Sequence, residues 1–132
     1  MRYLLTFVVL SAVALSAPLS TGAQPRNDLS DFMRVKLKHS QKVLEGLVEG
    51  NFDVIAKNAQ DLSLLSLAET WQVLQTPQYV EYSRKFRQAA DQLANDAKNK
   101  NLDEATKTFN LVTNRCVECH KYVRDVRMAS LD

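Results

Sequence analysis

Two thiols and an imidazole fall within five residues, Cys116-Val117-Glu118-Cys119-His120. Side chains three apart on a helix lie on nearly the same side, so both sulfurs can bond to two vinyl groups at one edge of a flat ring. His120, next in sequence, can then turn its imidazole toward a metal at the ring centre. The CxxCH spacing is the attachment signature of a c-type haem. It predicts one haem c, covalent through Cys116 and Cys119, with the iron ligated by His120. Two other chemistries use such residues. A structural zinc site takes four protein ligands, and only the distant His39 could complete the set. A thioredoxin-like dithiol opens a helix that follows a strand, whereas no strand pattern precedes Cys116. A disulfide between the two cysteines would close a loop too small to staple the chain.

The opposite face of the iron needs a ligand from elsewhere or stays open. Met128 is the only methionine after the motif, and it would reach that face only if the chain turned around the haem edge. Met33 lies near the start of the first helical pattern, which antiparallel packing would bring to the end of the molecule where His120 lies. Its ordinary role would be that of a flexible core filler. His39 is chemically the stronger ligand but sits off the main apolar stripe, between Lys38 and Ser40. Leu37 is one turn past Met33, and with Leu37 facing the iron the distal site would be open and apolar. Met33 is the leading reading, with His39 or an open site beside Leu37 as alternatives. Phe109, Val112 and Val123 share the cysteines' stripe and are expected on the haem side. Lys36, Arg34, Lys121 and Arg124 are candidates for the haem propionates, against the plainer expectation that they face solvent; Tyr122 and Trp71 would line or border the pocket.

These residues need elements to position them, and the pattern is helical throughout. The 132-residue chain has three Gly and three Pro, a poor supply for the turns of a sandwich or barrel. Apolar residues recur at three- and four-residue steps from Leu29 to Val48, with Asp28 as a plausible cap and Lys36 and Ser40 diluting the stripe. Gly50-Asn51 ends that helix and starts a second, which carries Phe52, Ile55, Ala59 and Leu62. Thr76-Pro77 starts the third, because proline lacks an amide hydrogen where none is needed. Asn101 with Glu104 predicts a capping box for the fourth. Four helices of about 17 to 25 residues with short links fold most simply as an all-α, antiparallel four-helix bundle, the haem attached near the C-terminal helix.

The N-terminus reads as an export signal. Arg2 precedes a nearly unbroken apolar run from Leu4 to Ala17, and Thr21-Gly22-Ala23 supplies small residues for cleavage. Residues 1–23 are therefore expected to be removed, leaving 24–132 as a single haem-binding domain in the periplasm with no membrane span. Lys and Arg number 17 against 15 acidic residues, too even a balance for nucleic acid.

An export signal, four helices and one CxxCH on the last of them resemble the class II cytochrome c group, which includes cytochrome c-prime and low-spin relatives. Only Cys116, Cys119 and His120 match a highly specific motif; the rest of the likeness is architectural. The resemblance implies a haem between helices, with the final helix supplying the attachment and the proximal histidine. It implies a methionine ligand early in the first helix of low-spin members, where Met33 falls, and an open, gas-binding site in the cytochrome c-prime type. It also raises a homodimer. The function expected is an exported monohaem electron carrier meeting redox protein partners transiently, the alternative being a haem-based small-gas binder. No enzymatic activity is expected: neither a di-iron carboxylate array, a phosphate loop nor a Ser-His-acid set stands out.

Overall fold

The computed structural model describes residues 28–68, 74 and 76–130; the export signal and Trp71 lie outside them. Four helices follow in order: α1 (Asp28–Glu49), α2 (Phe52–Leu65), α3 (Pro77–Lys98) and α4 (Leu102–Ala129). The all-α four-helix bundle matches the sequence expectation. Helix lengths differ from it, since α2 has 14 residues and α4 has 28. No glycine or proline interrupts α4, so it runs on past the cysteine motif.

The helix starts follow local chemistry. Asn51 accepts a hydrogen bond from Val54 N at 3.2 Å, and Thr76 accepts from Tyr79 N at 3.2 Å. Asn101 accepts from Glu104 N at 3.1 Å, but the reciprocal half of the capping box does not form. Glu104 Oε1 instead accepts from Lys107 at 2.6 Å, and Asn101 N donates to the Asp96 carbonyl. Asp28 is the first residue of α1 itself rather than a residue preceding it.

Two turns of one design close the same end of the bundle. Asn51 N donates to the Gly46 carbonyl at 2.8 Å and Gly50 N to that of Leu47 at 3.3 Å; Asn101 N and Lys100 N repeat the pattern on Asp96 and Ala97. Each turn needs a left-handed residue, supplied by Gly50 at φ 66° and by Lys100 at φ 55°. The core beside these turns is small and tight. Ala90, Leu93, Ala97 and Ala105 are essentially inaccessible to solvent. α1 and α2 approach so closely that a Cβ on Gly46 would sit 2.9 Å from Ile55 Cγ1. Buried Asp96 accepts from Thr108 of α4 and Gln92 of its own helix, each at 2.7 Å.

Along the bundle, α1 packs on α2, α2 on α3 and α3 on α4, while α1 and α4 meet only sparingly. The bundle is therefore closed on three sides and thinly joined on the fourth. No helix among the described residues is long and apolar enough to cross a membrane.

Candidate functional site

The thin seam between α1 and α4 holds a cavity of about 120 Å³. From α1 it is lined by Met33, Lys36, Leu37 and Ser40, and from α4 by Arg115, Cys116, Cys119 and His120. Leu62 of α2 and Phe86 of α3 form its floor. Six of the residues singled out from sequence, Met33, Lys36, Leu37, Cys116, Cys119 and His120, thus border one space, although Met33 and His120 are far apart in the chain. Helical period explains each wall: Met33, Leu37 and Ser40 step by four and three, and Cys119 and His120 lie three and four residues after Cys116.

Phe109, Val112 and Val123 stand elsewhere. Val112 belongs to the sealed core, Phe109 packs against that core half-buried, and Val123 is half-buried one turn beyond the motif. None of the three lines the cavity. They share the cysteines' stripe, but a bundle helix spends most of its stripe on neighbouring helices. His39 also turns away. Its Nδ1 lies 2.9 Å from Asn58 Oδ1 and 3.6 Å from Asp61 Oδ2, tying α1 to α2. No group of three or more His, Cys, Asp and Glu that could hold a metal ion occurs among the described residues. Tyr122 faces α3, with its hydroxyl 2.7 Å from Thr76 Oγ1 and its ring 5.5 Å from that of Tyr82. Met128 is exposed. Glu118 accepts from Arg115 at 2.7 Å.

Lys36, Ser40, Leu62, Phe86 and Arg115 complete the cavity wall. Sequence reading treats Lys36 as a dilution of the apolar stripe, facing solvent or a haem propionate, yet it is only 6% exposed. Its Nζ lies 3.7 Å from the centroid of the Phe86 ring. The signal was its place in the stripe, three residues after Met33. Arg34, Lys121 and Arg124, the other basic candidates, are exposed.

Burial sets the acid–base behaviour of the site. It pulls the Lys36 ammonium down to about 7, opposed in part by attraction to the two cysteines. A desolvated cation–π contact contributes about 2 kcal/mol. A change of that size in proton affinity corresponds to roughly 5 kcal/mol, so desolvation outweighs the ring. Burial raises both thiols, with Lys36 pulling them back. His120 is held below the usual imidazole range by desolvation first, then by Arg124 and Lys36. The neutral imidazole, the form that ligates a metal, is thereby favoured. Cys116 and Cys119 are free thiols.

The donor set fits a c-type haem: two thiols on one helical face, a neutral imidazole beside them, and a thioether on the facing helix. The cavity is smaller than the roughly 300 to 1,000 Å³ of ordinary ligand clefts. Admitting a porphyrin would require α1 and α4 to part, and these are the neighbours with least packing to lose. Comparison of the chain with protein-family models, curated proteins and solved structures returns no match.

Proposed function

We propose that this chain is an exported monohaem c-type cytochrome that carries single electrons in the periplasm. Haem c would be held by thioethers to Cys116 and Cys119, with His120 and Met33 as the residues that would ligate its iron. The observation that carries the reading is the presence of Met33 and the whole CxxCH set around one cavity. When bound, the haem supplies reversible one-electron chemistry. The protein's part is to hold and insulate it. The two thiols fix one ring edge, and the imidazole of His120, kept uncharged, offers its nitrogen. Buried Leu62 and Phe86 keep water from the cavity floor, which favours the less charged ferrous state, and a thioether ligand raises the potential relative to two histidines. His120 is exposed, so the ring edge beside it would lie close to the surface where redox partners dock transiently. Exposed Leu44 and Val48 on α1 offer apolar surface to a homodimer.

Leu37 on the same wall favours a second reading, in which it covers the iron and the distal face is open to a small gas. One experiment separates the two. Protein exported from a host competent in haem attachment is weighed intact, and its spectra are recorded oxidised and reduced, with and without carbon monoxide. The carrier reading expects the mass of polypeptide plus haem, a low-spin ferric spectrum with the weak near-infrared band of methionine ligation, and little reaction with carbon monoxide. A high-spin spectrum with ready carbon monoxide binding selects the gas-binding reading. Colourless protein of polypeptide mass rejects both.

A further inference from the structure

We propose that Lys36 is a reserve iron ligand: when Met33 is absent from the iron, the Lys36 amine takes its place and keeps the site closed. The inference rests on the haem reading above and extends it to a residue that reading does not use.

Three observations carry it. Lys36 follows Met33 by three residues on α1, and both side chains line the cavity that Cys116, Cys119 and His120 line from α4. Its side chain also points inward. A surface lysine extends its charged tip into water, as the exposed Lys42 does where it pairs with Glu45 at 2.7 Å on the same helix. Lys36 instead is buried, its amine 3.7 Å from the Phe86 ring centroid on the cavity floor. His39, the other nitrogen ligand considered for the iron, is engaged elsewhere, tied to Asn58 and Asp61 on α2. Ser40 offers only a weakly donating hydroxyl. A primary amine on a flexible four-carbon stem is a good nitrogen donor, and burial favours the uncharged form that has a lone pair to give. The exchange leaves the iron's oxidation state unchanged; a Lys36 that starts protonated releases its proton to solvent. The loss of Met33 alone should therefore not convert the carrier into a gas binder.

The test compares holoprotein variants Met33→Ala, Met33→Ala/Lys36→Gln and Met33→Ala/His39→Ala by ferric spin state and by ferrous carbon monoxide affinity. Met33→Ala should lose the near-infrared band yet stay low-spin with nitrogen ligation. Adding Lys36→Gln should make it high-spin and tighten carbon monoxide binding about tenfold or more, because an internal competitor has been removed. Lys36→Leu in place of Gln, which relieves the buried charge, should give the same result and guards against a folding defect. The proposal is overturned if Met33→Ala alone is already high-spin with the affinity of the double variant. It is overturned equally if His39→Ala, rather than the Lys36 changes, opens the site. Intact mass is read first. Wild-type protein without covalent haem sinks the haem reading, whereas haem-bearing variants that fail these comparisons sink only the role of Lys36.

Discussion

The two ends of this bundle are built to different standards. At the end carrying the 50–51 and 99–101 turns, both hairpins close with the same hydrogen-bond pattern, and Ala90, Leu93, Ala97 and Ala105 are buried between the helices. α1 and α4 meet only sparingly, and toward the other end a lysine, two thiols and an imidazole border the cavity between them. The first end is closed by matched turns, and the second, though floored by buried Leu62 and Phe86, carries the proposed haem site. If the haem reading holds, substitutions at the two ends should fail in different ways.

The largest expected effect is on function alone. Cys116→Ala/Cys119→Ala should abolish covalent haem, read as loss of the haem increment in intact mass, with helix content by circular dichroism retained. Collapse of the helices instead would show that the closed end cannot hold the bundle. Next come the leucines. Leu93→Ala empties a fully buried site and should cost about 2–5 kcal/mol in denaturant unfolding. Leu37→Ala, at a position 58% exposed, should cost well under half of that. Equal losses would erase the contrast between the ends.

The pH dependence sharpens it further. Lys36 titrates near 7 in the folded polypeptide and near 10.5 when unfolded. Between those values the unfolded state binds more protons, so the buried lysine's penalty is greatest below about pH 7 and fades as pH rises toward 10.5. In polypeptide without haem, Lys36→Met should therefore be stabilising by a few kcal/mol at pH 6, and the advantage should shrink by pH 10. Because Lys36 pulls on both thiols, the comparison is made with Cys116→Ala/Cys119→Ala in both chains. A gap independent of pH would mean that Lys36 is not desolvated.

The smallest effects lie in the matched turns. Lys100→Gly relieves a left-handed non-glycine residue and should stabilise by up to about 1 kcal/mol, while Gly50→Lys imposes that strain and should cost about 1 kcal/mol. Thermal unfolding of the two variants gives the comparison directly. Shifts of the same sign would break the equivalence of the turns.

Much of this was legible before any fold was known. Asn51, Thr76 and Asn101 mark their helix starts because capping is local, a side-chain oxygen reaching an amide three residues on. The half of the capping box that failed was decided by competitors, Lys107 for the carboxylate and the Asp96 carbonyl for the amide. The reading of Lys36 shows the limit more sharply. A charged residue in an apolar stripe reads as a solvent-facing interruption, and its burial depends on Phe86 of another helix. Phe109 and Val112 illustrate the same limit from the other side: the stripe told which face of α4 is inward but not which neighbour it meets.

By itself the sequence determined the four helices, the caps of the last three and the CxxCH set, because period, capping and thiol spacing act within a few residues. Only tertiary structure decided that Met33 and not His39 faces the motif, that Lys36 lies inside, and that the gap opens between α1 and α4. Those outcomes depend on which helices touch, and contacts between residues far apart in the chain leave no local signature in it.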